Sequence, residues 1–98
     1  MEAGVRDVVQ RSLAVNSSVV SAQLDGEAVL LNVDSGVYFG LDSVGTRIWE
    51  LLSVGAGEAE IFDRLLDEYQ VDAQQLHRDL AGFLDVLVSK SLVRAADL

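Results

Sequence analysis

The dipeptide Asp25-Gly26 lies between two runs rich in β-branched and aliphatic residues, residues 19–24 and 27–33. A two-residue type I′ turn needs positive φ at both central positions, which Asp and Gly tolerate, so the pattern is a strong hairpin signal. A second turn follows at Asp34-Ser35-Gly36, and Val37-Tyr38-Phe39-Gly40-Leu41 then reads as a short third strand with two aromatics. The expectation is a three-stranded antiparallel meander. Its outer strands are edges and carry unpaired backbone N–H and C=O groups. Alternation puts Val37, Phe39 and Leu41 on one face and Tyr38 on the other, where it is the better surface candidate.

Three helices are expected after the meander. Asp42 or Ser43 can cap the first, whose apolar positions Val44, Ile48, Leu51 and Leu52 recur at helical spacing with Trp49 beside them. It should stop before Gly55-Ala56-Gly57. Gly57 is a weak cap for the second helix, and Glu58 and Glu60 in its first turn suit the macrodipole. Ile61, Phe62, Leu65, Leu66 and Tyr69 form its apolar face. Asp72 opens the third helix, with Gln75 placed three residues on for a capping box. Leu76, Leu80, Phe83, Leu84 and Leu87 carry its core stripe, and it fades near Lys90-Ser91. Leu92-Val93 reads as an apolar tail folded back on the core. This βββααα order suits an α+β, winged-helix-like domain over residues 18–94, with a helix-turn-helix made by the last two helices. Residues 1–17 read as an N-terminal arm and 95–98 as a tail.

Composition removes several functions. The chain has 98 residues, enough for one domain with one core. It has no Cys, which excludes disulfides, thiolate catalysis and thiolate metal sites. Its single His, His77, excludes His-rich metal sites. Asp79 lies on the wrong side of the third helix to orient His77 in a triad, so a half-exposed helix His is expected. No phosphate-cradling glycine loop is present. No catalytic residue, metal or cofactor is therefore expected, and the chain reads as a non-enzyme. Sixteen acids against seven bases give a net charge of −9, which argues against nucleic acid and anionic membrane. In the third helix Arg78 and Lys90 face Asp72, Asp79 and Asp85, the wrong balance for a DNA-reading helix. Residues 1–10 hold Glu2 and Asp7 and no apolar signal region, so a cytoplasmic protein is expected.

The third helix holds an anomaly. Placed at about 100° per residue, its apolar positions cover an arc of about 220°, where one buried stripe needs little over 100°. Such a helix is either sandwiched in the core or shares a groove with a partner. The short aromatic edge strand favours the second option. An edge strand beside an apolar helix accepts an extended peptide by strand addition, with backbone hydrogen bonds for affinity and side-chain pockets for specificity. Two other readings compete with it: a winged-helix DNA binder, and a structural subunit whose apolar helix face serves an obligate complex.

The run from Leu30 to Leu52, LLNVDSGVYFGLDSVGTRIWELL, resembles the PqqD-like family, most of all the stand-alone recognition component of split lasso-peptide biosynthesis systems. The stretch from Glu60 to Tyr69, Val71-Asp72 and Leu92-Val93 also fit, so the likeness covers roughly residues 18–94. Gly57 stands where a Ser or Thr cap is common, and Ser91 where a Gly is common. The resemblance implies a domain that binds the leader segment of a ribosomally made precursor peptide. It also implies that a separate leader peptidase of cysteine-protease type, and a cyclase, act on the presented substrate. The leader is then expected to add to Val37, Tyr38, Phe39, Gly40 and Leu41. It should pack against third-helix positions among Leu76, Asp79, Leu80, Phe83, Val86 and Leu87, with His77, Ala81 and Val88 on the opposite side.

Overall fold

The computed structural model describes residues 11–96. Within them the order is β1 (Ser12–Val15), β2 (Val19–Leu24), β3 (Glu27–Asn32), β4 (Tyr38–Gly40), α1 (Ser43–Ser53), α2 (Glu58–Glu68), α3 (Ala73–Ser89) and β5 (Val93–Ala96). Strands β2, β3 and β4 form the expected antiparallel meander in that order. Asp25 has φ 55° and Gly26 φ 82°, the two left-handed residues a type I′ turn requires. Alternation along β3 turns Ala28, Leu30 and Asn32 to the core.

Two buried polar side chains fix the sheet against its neighbours. Thr46 of α1 accepts through Oγ1 from the Ala28 N–H at 2.8 Å. Asn32 Oδ1 accepts from the N–H groups of Asp34 and Ser35, which closes the second turn. Its Nδ2 donates to the Ser91 carbonyl at 2.9 Å, tying that turn to the end of α3. With these bonds made, Asn32 does not carry the cost of an unsatisfied buried amide.

The helix ends follow their caps. Asp42 Oδ1 accepts from Gly45 N–H at 2.8 Å and starts α1. Gly57 starts α2 without a side-chain cap bond. Asp72 Oδ2 accepts from Gln75 N–H at 3.0 Å, but the reciprocal half of a capping box is not made. The Gln75 side chain instead donates to Asp79 Oδ1 at 2.8 Å. Helices α1 and α3 both end in Schellman motifs. In α1 the N–H groups of Gly55 and Ala56 reach the carbonyls of Leu52 and Leu51. In α3 those of Ser91 and Leu92 reach Val88 and Leu87. Gly55 has φ 95°; Ser91 holds the same role at φ 61°.

One element was not expected. The described part of the N-terminal arm contains β1, which pairs antiparallel with β5 from Ser12↔Ala96 to Val15↔Val93. Leu13, Leu92 and Val93 are buried there, so the 92–93 tail does fold onto the core. The rest of the arm, residues 1–10, and the end of the tail, residues 97–98, lie outside the described residues. Leu30, Ile61, Leu65, Leu84 and Leu87 form the centre of the core.

Candidate functional site

The β3–β4 ladder determines what β4 offers at its free edge. Asn32 N–H donates to the Val37 carbonyl at 2.9 Å, and Leu41 N–H to the Ala28 carbonyl at 2.8 Å. Antiparallel pairs alternate between bonded and non-bonded. With Phe39 opposite Leu30, residues 37, 39 and 41 therefore spend their backbone groups on β3. Tyr38 and Gly40, in non-bonded pairs, direct N–H and C=O outward. The sheet order leaves β4 unpaired on that side. The edge thus presents two donors and two acceptors at 38 and 40.

Beside this edge lies a cavity of about 430 Å³. Phe39, Gly40 and Leu41 form one wall, and Gln75, Leu76, Asp79, Leu80 and Phe83 of α3 form the other. Asp42, Val44, Gly45 and Ile48, together with Leu65, Tyr69 and Val71, complete it. Gly45 sits at a close approach: a Cβ there would lie 3.3 Å from Phe83 Cζ and 3.3 Å from Asp42 Oδ1, so those side chains would have to yield by a few tenths of an ångström. Among the described residues, Asp42 and Asp79 are the charged ones in the lining. Lys90, the C-cap of α3, has its Nζ 5.6 Å from the Phe39 ring centroid, a cation–π contact.

The expected peptide-binding residues separate into groups. Phe39, Gly40, Leu41, Leu76, Asp79, Leu80 and Phe83 come together around the cavity. Tyr38 contributes backbone at the edge, while its side chain is 71% exposed on the outer face. Val37 is half-buried and bonded to β3. Val86 is 39% exposed and does not line the cavity. Leu87 is fully buried in the core and offers no surface to a ligand. The walls from α1 and α2 were not anticipated, because Ile48 and Leu65 carry only a core pattern. Val71, an apolar residue in the turn before α3, was the available signal; it and Val44 are 41% and 40% exposed.

Several other polar groups do not line the cavity. His77 is half-buried, edge-on to Phe62 at 5.8 Å, and its Nε2 has no hydrogen-bond partner. Among the described residues no three His, Asp or Glu converge as metal ligands, and no helix is long and apolar enough to cross a membrane. Arg47 Nε and Nη2 donate to Glu68 at 2.8 and 2.6 Å, linking α1 to α2. These bonds hold Glu68 below the usual carboxylate range and Arg47 above its ordinary value. Arg11 donates to Glu58 at 2.7 Å and to Asp85 at 2.6 Å. Its pKa is raised chiefly by the Glu58 bond.

Comparison with known proteins agrees with this architecture. A solved structure, TbiB1 in complex with the TbiA(beta) leader peptide, is 47% identical and superposes with a TM-score of 0.79, over 83% of this chain and 94% of that one. A second, lasso peptide synthetase B1 complexed with the leader peptide, is 26% identical with a TM-score of 0.75, over 85% and 98% of the two chains. No curated protein matches the chain. The family model described as coenzyme PQQ synthesis protein D (PqqD) matches residues 27–93, which spans β3, β4, the three helices and the start of β5, and the chain belongs to this family.

Proposed function

We propose that the chain is a non-catalytic, cytoplasmic adaptor that binds the leader segment of a ribosomally made precursor, in the manner of a lasso-peptide recognition protein. The leader adds as a strand to β4, and its inward side chains enter the cavity beside α3. The observation that carries this reading is the juxtaposition of an unpaired edge at Tyr38 and Gly40 with an apolar cavity on the core side of the same strand. Two relatives of matching architecture are described as complexes with leader peptides. The bound leader then holds its core peptide at high local concentration for separate enzymes, a cysteine-protease-type leader peptidase and a cyclase.

Leader removal by the peptidase of the same system tests the presentation role. Adding this chain should accelerate cleavage of the full precursor at low micromolar substrate and leave a leaderless substrate unaffected. Equal rates with and without the chain would contradict it.

A further inference from the structure

Residues 79, 82, 86 and 90 recur at spacings of three and four, so they share one flank of α3. Asp79 lines the cavity, whereas Lys90 caps the ring of Phe39, another lining residue. Between them a Cβ on Gly82 would meet nothing within 4 Å, and Val86 is exposed, so the flank is open. Neither end charge is neutralised by an opposite charge: among the described residues Asp79 bonds only Gln75 Nε2, and Lys90 makes no salt bridge. The flank that borders the cavity therefore makes a groove with an acidic end, an apolar middle and a basic end.

Resting on the leader-binding reading, we infer that the groove selects an extended segment of matching polarity. One cationic side chain meets Asp79, one carboxylate meets Lys90, and the side chains that face the groove between them are apolar. The geometry sets the spacing. The eleven steps from Asp79 to the C-cap Lys90 span about 16 Å at about 1.5 Å each. A strand rises about 3.3 Å per residue, so that length is about five residues. Side chains share a face only at even spacing, so the two charges stand four or six residues apart. Asp79 and Lys90 are thus specificity-determining residues that fix the register of the bound segment.

A charge scan tests this. The probe is the TbiA(beta) leader peptide, replaced one residue at a time by Lys and by Glu, with affinities read by calorimetry. One position should favour Lys over Glu about fivefold, the scale of an exposed pair, and a second, four or six away, should favour Glu equally. In Asp79→Lys the first preference should reverse while the second stays. In Lys90→Glu the second should reverse alone. Asp79→Asn and Lys90→Gln, which are milder, should abolish each preference, and circular dichroism checks each fold. Binding of the unmodified peptide with no reversal in either variant overturns the polarity and leaves leader binding intact. Absence of saturable binding to the wild-type chain overturns both.

Discussion

Arg11 and Glu58 show how one ion pair positions a chain end. The Glu58 side chain is 2% exposed and that of Arg11 21%, and the pair joins the segment before β1 to the first turn of α2. Removing Arg11 leaves a buried carboxylate without its cation. Arg11→Gln should cost about 2–3 kcal/mol in urea unfolding, less than breaking a fully buried pair, since Arg11 keeps some solvent. Replacing both residues with Leu should recover most of that loss, because an apolar pair leaves no charge stranded. Ser91 is the converse case, a residue whose backbone is less suited to its place than glycine. At φ 61° its Cβ opposes the left-handed conformation that the Schellman motif demands. Ser91→Gly should raise stability by about 0.5–1 kcal/mol in the same assay, since the carbonyl that receives Asn16 and Asn32 is unaltered. A loss of stability would show that the Ser side chain contributes more than its strain costs.

At the scale of elements, α1 and α2 are joined on the surface by Arg47 and Glu68, and the tie should respond to pH. The folded value of Glu68 lies below its unfolded value, so the tie adds stability above about pH 4.5 and loses it as pH falls further, through the folded value. The stability gap between wild type and Arg47→Gln should therefore be constant near neutrality and shrink below pH 4.5. A gap unchanged at pH 3 would mean that packing of the Arg47 stem, not its charge, is what counts. Elements also differ in how legible they are from sequence. Asp25-Gly26, Asp42 and Asp72 act through contacts a few residues away, so hairpin and helix starts can be read locally. Strands β1 and β5 are four residues each, and nothing beside Ser12 points to Ala96 at the far end of the chain. Such pairing depends on topology that only the packed core supplies.

On the scale of the whole molecule, the charge of −9 and the apolar arc of α3 acquire separate roles. The charge has the wrong sign to attract phosphate backbones. The arc divides between the core, through Leu80, Leu84 and Leu87, and the groove, through Leu76 and Phe83, with Leu80 serving both. Half of the candidate site, β4 and α3, was therefore visible as an edge strand beside an over-wide apolar stripe. The other half was not, because Ile48 and Leu65 look like any core positions until the fold turns them toward one cavity. The parity of the β3–β4 ladder was also invisible. It determines that Tyr38 and Gly40, not Phe39, face a newcomer strand.

That parity supplies the most direct test. Tyr38→Pro removes an outward N–H and no bond to β3, so the fold should survive, as proline is tolerated on a free edge. Calorimetric titration of the cognate leader peptide into the wild-type chain should give saturable one-to-one binding at tens of micromolar or tighter. In Tyr38→Pro, affinity should fall about five- to tenfold, the upper range for one lost hydrogen bond, with thermal unfolding little changed. Saturable binding that is equally tight in the folded Tyr38→Pro chain, or none in the wild type, would contradict strand addition at β4.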